Sequence, residues 1–413
     1  MEIQQRQVVI IGAGPSGSTA AAMLNQQGID VLVIEKLQFP RFSIGESLLP
    51  ACMEVIEQAG MLNAVEASGF QFKDGAAFRK DGAYTEFNFT DKFTPGPGTT
   101  YQVQRADFDK VLADSAEQQG VEIRYQHALT GLSFEQQASV LTVTDEHGTA
   151  YQIKACFVLD ASGFGRVLPR LLDLELPSSL PVRKAIFTHV IDNIDSNDCV
   201  YDRNKILITV HPRFSDVWYW LIPFSDGTSS LGVVAEPEFF QQYSEDKLTA
   251  LKTLADEDSG LATLLAKAEY CNPAGELNGY SSNVKHLATS HYALLGNAGE
   301  FLDPVFSSGV TIAMKSAQLA VNNIVRQLKG ETVDWQNDYS QALMIGVDTF
   351  RTYVEGWYDG SLQDVIYYQK PNNRIKQMIC AILAGYAWDT SNPYVKDSQR
   401  RLSSLAELIR GTH

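Results

Sequence analysis

The chain has 413 residues, of which 45% are hydrophobic and 20% are charged, and its formal net charge is −16. At roughly 100–200 residues per domain, this length predicts two or three domains. The acidic balance argues against a protein that wraps nucleic acid or lies on an anionic membrane, because both need a basic face. The sequence has no run of about 18 apolar residues and no signal-peptide pattern, so we expect no transmembrane segment and a cytoplasmic location.

The cysteines and histidines form no recognisable metal-binding or disulfide pattern. We expect buried, unreactive thiols in a reducing compartment, and histidines that are structural or exposed. Only His189, in IFTHVID on a predicted strand, occupies a position that merits a test. The cysteines are Cys52, Cys156, Cys199, Cys271 and Cys380, and the other histidines are His127, His147, His211, His286, His291 and His413.

The beginning of the chain predicts a βαβ unit. Residues 7–12 are a continuous apolar run, which suits a buried parallel strand. Residues 16–27 have the small and apolar residues of a helix that ends at Gly28, and residues 30–35 are a second apolar run.

Three glycines and one acid in this unit predict a dinucleotide site. Gly12 permits a tight turn after the first strand, Gly14 lets the backbone approach a pyrophosphate, and Gly17 allows the helix to pack closely on the strand. The helix N-terminus offers free N–H groups, and Glu35 can accept hydrogen bonds from ribose hydroxyls. Strand, loop, helix and acid together are far more specific than the glycine spacing alone.

After this unit the predicted secondary structure is first mixed, then β-rich and finally helical. Residues 76–90 predict a hairpin with Asp81-Gly82 in its turn. Other predicted elements are, in chain order, helix 106–119, strands 121–125, 157–163, 185–192, 205–211, 217–224, 229–235 and 291–296, and helix 310–328.

These elements predict an α/β chain with three regions. A nucleotide-binding Rossmann domain combines residues 1–75, 100–175 and 285–330. A substrate-binding antiparallel β-sheet domain combines residues 76–99 and 176–284, and residues 331–413 form a helical C-terminal region.

Three segments resemble the FAD-binding motifs of the glutathione-reductase-type fold. LLGNAGEFLDPVFSSG at 294–309 resembles the second flavin motif, GDAxxxxDPxxxxG, with Asn297 in place of the aspartate that holds the ribityl chain. LDASGFGR at 159–166 resembles the middle motif, and QVQRADFD at 102–109 resembles the segment whose arginine, here Arg105, reaches the FAD. The alternative for Arg105 is an exposed arginine at the start of a helix.

Two further segments limit the resemblance to fewer families of FAD-binding proteins. FPRFSIGESLLP at 39–50 is similar to a loop of flavin-dependent halogenases and of geranylgeranyl-reductase-like oxidoreductases. VWYWLIPF at 217–224 matches WxWxIP, the motif associated with flavin-dependent halogenases. Trp218 and Trp220 point to one face of this strand. The resemblance implies that they form a wall between flavin and substrate, and simple core packing is the alternative.

The segment GFQFKDGAAF at 69–78 has a lysine, Lys73, where the shorter halogenases that it resembles carry one. The resemblance implies that reduced FAD and oxygen turn halide into hypohalous acid, which the lysine holds as an ammonium or traps as a haloamine. Burial would lower the pKa of such a lysine. A solvated loop lysine is the alternative, and Lys80 is a less favoured substitute.

The resemblance also implies a halide site and a set of cofactor contacts. Ser307, Ser308 and the backbone of Gly309 would bind halide near the flavin, although serines in such turns also have local roles. The residues predicted to act in catalysis are Lys73, Trp218, Trp220 and Ser308. Those predicted to bind FAD are Gly12, Gly14, Pro15, Ser16, Gly17, Glu35, Lys36, Arg41, Ser47, Arg105, Asp160, Gly163, Gly296, Asn297, Asp303, Pro304, Ser308 and Gly309. No metal site is expected.

These segments together resemble FAD-dependent oxidoreductases of the p-hydroxybenzoate-hydroxylase type. That resemblance implies a glutathione-reductase-type FAD-binding Rossmann domain, an antiparallel β-sheet substrate domain and a helical C-terminus. The leading hypothesis is halogenation of an electron-rich aromatic, small or carrier-bound, with FAD, chloride or bromide, and a separate flavin reductase. The alternatives are an FAD-dependent monooxygenase or geranylgeranyl-reductase-like reductase without halide use, and a non-catalytic flavin binder.

Overall fold

The computed structural model of the protein describes residues 3–136, 138–195 and 201–411, so Cys199 and His413 lie outside the described residues. The strands, in chain order, are β1 (Gln4–Ile11), β2 (Val31–Glu35), β3 (Gln71–Lys73), β4 (Gly75–Lys80), β5 (Ala83–Asn88), β6 (Thr100–Gln102), β7 (Glu122–Tyr125), β8 (Ala128–Phe134), β9 (Ser139–Thr144), β10 (Ala150–Asp160), β11 (Glu175–Pro177), β12 (Lys184–Ile191), β13 (Lys205–Val210), β14 (Trp218–Pro223), β15 (Thr228–Ala235), β16 (Gly275–Asn278), β17 (Ser282–Val284) and β18 (Tyr292–Leu294). The α-helices are α1 (Pro15–Gln26), α2 (Ala51–Gln58), α3 (Leu62–Ala67), α4 (Arg105–Gln118), α5 (Val167–Leu171), α6 (Lys247–Glu257), α7 (Ser259–Leu264), α8 (Gly309–Leu328), α9 (Ala342–Tyr358), α10 (Ser361–Ile366), α11 (Asn373–Leu383), α12 (Pro393–Lys396) and α13 (Ser398–Arg410).

The first sheet contains the predicted βαβ unit. Its order is β7-β2-β1-β10-β9-β8, and β18 also pairs with β10. Strands β7, β2, β1, β10 and β18 run parallel, and the apolar residues at the carboxyl ends of β1, β2, β10 and β18 are buried, as is usual for parallel strands. The carboxyl ends of β1 and β2 therefore meet at the N-terminus of α1, where α/β sheets bind ligands.

The second sheet has the order β16-β12-β15-β14-β13-β4-β5 and is antiparallel except where β4 and β13 run parallel. The predicted hairpin is confirmed, because Asp81 and Gly82 have φ of +49° and +79° in the turn between β4 and β5. Alternate residues of β14 divide between two cores. Trp218 and Trp220 pack into the large core shared with the C-terminal helices, whereas Tyr219 packs into a second core under α6 and α7.

The region after β18 is helical, as the sequence predicts. Helix α8 packs against α1, and α9 packs against α8. Apolar residues of these helices join the same core as the inner face of the second sheet. In the part of the chain that the structure describes, no helix is long and apolar enough to cross a membrane.

The expectation of buried thiols is wrong for two of the cysteines. Cys52 and Cys380 are buried, but Cys156 and Cys271 are exposed. Cys156 lies on β10 between the stretch that pairs with β9 and the stretch that pairs with β18.

We expect Gly232→Ala to lower the free energy of unfolding by about 1–3 kcal/mol, as overpacking of a buried site does. A Cβ on Gly232 would lie 2.1 Å from Cζ2 of Trp220, whose ring is buried and cannot move freely. The measurement is the thermal unfolding midpoint. Gly131→Ala is the matched control, because a Cβ there lies 3.4 Å from Thr142 Cβ. Equal shifts in both variants would contradict this prediction.

Candidate functional site

A cavity of about 750 Å³ is lined by residues of both sheets. Its lining includes Gly12 and Glu35, at the ends of β1 and β2, and Trp218 and Trp220 on β14. The volume falls within the range of roughly 300–1,000 Å³ that is usual for cofactor and small-molecule sites.

Most of the residues predicted from the sequence line this cavity. They are Gly12, Gly14, Pro15, Ser16, Glu35, Lys36, Arg41, Ser47, Arg105, Gly163, Trp218, Trp220, Asn297, Asp303, Pro304, Ser308 and Gly309. The predicted residues that do not line it are Gly17, Lys73, Asp160 and Gly296. The roles of these four residues at the cofactor or the substrate stay predictions.

Gly17 and Gly296 act in packing. A Cβ on Gly17 would lie 1.9 Å from the carbonyl oxygen of Gly12, so glycine lets α1 approach the end of β1. A Cβ on Gly296 would lie 2.7 Å from Ala313 Cβ, so glycine lets its turn contact α8. Both glycines thus allow close packing beside the cavity without lining it.

Asp160 does not line the cavity, and its place beside the cofactor stays a prediction. Its carboxylate is fully buried and bonds to the protein's own backbone, with Oδ1 accepting from Ser162 N at 2.9 Å and Oδ2 from Leu168 N at 2.6 Å. Burial raises the pKa of this carboxyl above its ordinary value. Asp160 fixes the turn that presents Gly163 to the cavity.

One end of the cavity fits a dinucleotide. Gly12 has φ +99°, and a Cβ there would lie 2.6 Å from Ala161 O, so only glycine allows this turn. Gly14 and Ser16 line the cavity at the N-terminus of α1, where unpaired N–H groups suit a pyrophosphate. Glu35 accepts a 2.8 Å hydrogen bond from the backbone and keeps a carboxylate at the cavity for ribose hydroxyls.

The other end of the cavity fits a flavin ring. Helix α8 begins there, with Ser308 and Gly309 in the lining, and its N-terminal dipole favours negative charge. Asn297 also lines the cavity and keeps a hydrogen-bonding group, without a charge, where the FAD motif has aspartate. The residues of both ends therefore suit FAD.

A loop of residues 41–48, which we name the cavity loop, crosses the cavity with almost no regular structure. Buried Asp109 holds one end of it, because Asp109 pairs with Arg41 at 2.9 Å and with Arg105 at 2.8 Å. Arg105 also donates to the carbonyl oxygens of Ile44 and Gly45. Arg105 is thus buried in an ion pair on α4, and it is not an exposed helix-start residue.

Glu46 of the cavity loop bonds to the second sheet. Its Oε1 lies 2.6 Å from Nε2 of His189 on β12, and the carboxylate is buried. Burial lowers the pKa of the His189 ring, but the hydrogen bond and charge of Glu46 outweigh it, so this pKa is raised above its ordinary value. The one histidine that the sequence suggested for testing therefore contacts a residue of the cavity lining.

Lys73 lies behind the cavity loop and is fully buried at the end of β3. Its Nζ donates to Ser47 Oγ and to Leu48 O, both at 2.7 Å. Nζ also lies 5.4 Å from the ring centroid of Phe89. These contacts exclude the alternative of a solvated loop lysine.

The surroundings of Lys73 favour its neutral form. Burial lowers its pKa to about 7, and the nearby Cys52 offsets this only in part. Burial also raises the pKa of the Cys52 thiol to about 12, so Cys52 stays a neutral thiol. A lysine that exchanges a proton near neutral pH is therefore available beside the cavity.

Lys80 does not replace Lys73. Its Nζ donates to Gln363 Oε1 at 2.9 Å, and Lys80 does not line the cavity. The less favoured substitute is thus directed towards the C-terminal helices.

Trp218 and Trp220 form the tryptophan wall of the cavity. Their ring centroids lie 5.9 Å apart, and both residues are buried. Trp220 Nε1 donates to Ser230 Oγ at 3.0 Å. The rings pack in the core and also line the cavity, and their position between flavin and substrate stays a prediction.

A hydrogen-bonded chain connects this wall to the DP motif. Trp218 Nε1 donates to Tyr358 Oη at 3.1 Å, and Tyr358 donates to Asp303 Oδ2 at 2.7 Å. Tyr280 donates to the same Oδ2 at 3.2 Å, and the Arg183 guanidinium lies 4.0 Å from the Tyr358 ring centroid. Burial raises the pKa of the Asp303 carboxyl above its ordinary value.

Sequence reasoning missed several residues of this site. Asp109 had a detectable signal, because it follows Arg105 by four residues on a predicted helix. Glu46 lies in a recognised loop, but nothing local indicates its partner. Tyr280 and Tyr358 lie outside every motif, and they reach the site only through tertiary packing.

We expect Lys73→Met to stabilise the protein most at and below pH 7. Between the folded pKa of about 7 and the unfolded value of 10.5, the unfolded chain binds more protons at this lysine, so native stability rises with pH. The advantage of the variant should therefore shrink by about 2–3 kcal/mol between about pH 7 and pH 9. Denaturant unfolding at several pH values measures this, with Lys80→Met as control. A difference that does not depend on pH would contradict it.

Tyr358→Phe should destabilise the protein by about 1–3 kcal/mol, because it removes an acceptor from Trp218 and a donor from buried Asp303. Tyr353→Phe is the matched control on the same helix, since the buried Tyr353 hydroxyl makes no hydrogen bond to the described residues. Thermal unfolding of both variants checks the prediction, and it fails if Tyr353→Phe is the more harmful change.

Comparison with known proteins agrees with this geometry. The family model described as FAD binding domain matches residues 5–341. A 1H-pyrrole-2-carbonyl-[peptidyl-carrier protein] chlorinase of Pseudomonas fluorescens is 28% identical, over 97% of this chain and 93% of its own. The corresponding brominase of Pseudoalteromonas luteoviolacea is 27% identical, over 94% of each chain.

Solved structures give the same picture. A flavoprotein/dehydrogenase from Cytophaga hutchinsonii is 42% identical, with a TM-score of 0.95 over 99% of this chain and 100% of its own. The flavin-dependent brominase Bmp2 is 25% identical, with a TM-score of 0.83 over 99% of this chain and 100% of its own. The chain therefore belongs to the FAD binding domain family, and it is an FAD-dependent oxidoreductase of the halogenase-like branch.

Proposed function

We propose that the protein uses reduced FAD, O2 and chloride or bromide to halogenate an electron-rich aromatic. The observation that carries the proposal is Lys73, a fully buried lysine bonded to the loop that covers the cavity. A charged or titrating group in such a position costs stability, so its retention favours a chemical role.

The residues at the end of the cavity that fits a dinucleotide would hold FAD. Gly14 and Ser16 would bind the pyrophosphate at the N-terminus of α1, and Glu35 would bind the ribose. Lys36, Arg41 and Arg105 would add positive charge near the phosphates and the flavin. Bound reduced FAD, with O2, supplies the two-electron oxidation that turns halide into hypohalous acid.

The start of α8 would bind the halide. Ser308 and Gly309 line the flavin end of the cavity, and Ser308 is buried. Free N–H groups and the helix dipole at this position favour an anion. Asp303 would keep this turn in place, since its Oδ1 accepts from Val305 N at 3.0 Å.

The tryptophan wall would separate the aromatic substrate from the flavin. Trp218 and Trp220 are held by hydrogen bonds at both indole nitrogens, so they present rigid apolar faces to the cavity. A rigid wall excludes water and keeps hypohalous acid on a path towards the cavity loop, behind which Lys73 lies.

The relatives support a proposal for the form of the substrate. Two of them act on a pyrrole held by a peptidyl carrier protein, so a carrier-bound aromatic is one form of substrate that we propose, beside a small free aromatic. A separate flavin reductase would deliver reduced FAD. The exposed thiols of Cys156 and Cys271 favour a reducing cytoplasm.

Trapping of hypohalous acid tests the proposal. The purified holoenzyme is supplied with a flavin reductase, NADH, O2 and bromide, and bromination of monochlorodimedone is followed. We expect bromide-dependent product from the wild type. Lys73→Ala should lose halogen transfer to added phenols and pyrroles by about 10²-fold or more, with flavin binding kept, and Lys80→Ala should behave as the wild type.

A second candidate function is FAD-dependent oxidation or reduction without halide. It is favoured by the 42% identical structure, which is described as a flavoprotein/dehydrogenase. Under this alternative, NADPH alone bleaches the bound flavin rapidly and no monochlorodimedone is brominated. That pair of results would overturn the halogenase proposal.

A further inference from the structure

The backbone around Lys73 is a two-stranded sheet that one isolated β-bridge joins to the cavity loop. Strand β6 pairs with β3 on one side, with Thr100 opposite Lys73. On its other side β6 accepts the cavity loop, where Ser47 bridges to Gln102 and Leu48 N donates to Tyr101 O at 3.1 Å. Lys73 therefore reaches across β6 to the back of the cavity loop.

Ser47 lies between the lysine and the cavity. Ser47 lines the cavity, whereas Lys73 is fully buried and does not line it. The Nζ donates to Ser47 Oγ and to Leu48 O, both at 2.7 Å. A molecule in the cavity therefore meets the Ser47 hydroxyl before it can meet the amine.

The direction of these hydrogen bonds determines whether the Ser47 hydroxyl is free to donate a hydrogen bond. When Lys73 is protonated, its ammonium group only donates, so Ser47 Oγ is then the acceptor and its own O–H remains available as a donor. In the described part of the chain, Ser47 Oγ makes no other side-chain hydrogen bond. Because Ser47 lines the cavity, we infer that this O–H donates to a molecule bound there.

We propose that the Ser47 hydroxyl is the group that contacts hypohalous acid, and that Lys73 acts through Ser47 as a positioning and proton-supplying residue. This inference rests on the halogenase function proposed above. It selects hydrogen-bonded delivery over a haloamine on Lys73.

The transfer step balances with these two residues. The aromatic carbon bonds to the halogen, and the halogen–oxygen bond of hypohalous acid breaks. The departing hydroxide takes the Ser47 proton and leaves as water, and Ser47 regains a proton from the Lys73 ammonium. The ring then loses its proton to water, and Lys73 is reprotonated from solvent. A pKa of about 7 suits Lys73 to this exchange near neutral pH.

The test asks whether a halogen ever bonds to Lys73. Wild type, Ser47→Ala, Ser47→Thr and Lys73→Met are turned over as holoenzymes with reductase, NADH, O2 and bromide, without an aromatic substrate, and their intact masses are measured after desalting. Lys73→Met gives the background from bromination elsewhere. Monochlorodimedone is brominated in parallel to show that hypobromous acid forms.

We expect the wild type and Ser47→Thr to show no mass gain beyond that of Lys73→Met, because a hydroxyl covers the amine in both. Ser47→Ala opens a path to Nζ, so it should gain the mass of one bromine in place of one hydrogen. A Lys73-dependent gain in the wild type, or none in Ser47→Ala, would overturn the inference. If the wild type brominates no monochlorodimedone, the halogenase function itself fails, which is a different result.

Discussion

The cavity loop, residues 41–48, depends on buried charges for its position. Asp109 on α4 binds Arg41 and Arg105, Arg105 binds two carbonyl oxygens of the loop, and Lys73 binds Leu48 O. Removal of one partner from a buried ion pair costs roughly 3–5 kcal/mol, because the other charge is left without compensation. These side-chain contacts therefore hold a loop that has almost no regular hydrogen bonding of its own.

Through these contacts the cavity loop connects the two sheets. Arg105 ties the loop to the helix that follows β6, and the bond between Glu46 and His189 ties it to the second sheet. The cavity is lined by residues of both sheets, and these two attachments connect its lining to each of them.

A second connection comes from the C-terminal helices. Tyr358, at the end of α9, accepts from Trp218 and donates to Asp303, and so joins the tryptophan wall to the turn before α8. The region with no motif thus controls how two motifs face each other. Tyrosine suits this position because one hydroxyl can accept and donate at the same time, while its ring fills the core.

Local patterns explain which parts of the molecule the sequence predicts well. The βαβ unit, the hairpin at Asp81-Gly82 and the helix at 310–328 follow from apolar periodicity and turn residues, and the structure has all three. Most motif residues line the cavity for the same reason, since a motif is a local arrangement of backbone and side chains.

Contacts between distant residues were beyond prediction. Asp160 lies in a recognised motif, yet its carboxylate bonds to backbone groups that only the folded turn brings near. Lys73 and Ser47 are 26 residues apart, and a register between β3, β6 and the cavity loop is needed to join them. Without this register, the sequence alone does not decide whether Lys73 lies in solvent or in the core.

The position of Lys73 behind Ser47 also answers a chemical difficulty. Hypohalous acid oxidises thiolates and amines, and Cys52 lies close enough to Lys73 to influence its pKa. The Cys52 thiol is fully buried, its pKa is raised to about 12, and its Sγ donates to Leu49 O at 2.9 Å. Thiolates, and not thiols, are the reactive form, so this cysteine is protected twice. A serine hydroxyl is the least oxidisable of the three groups, and it is the one that faces the cavity. The same cavity loop that positions the lysine therefore keeps the oxidant away from both the amine and the thiol.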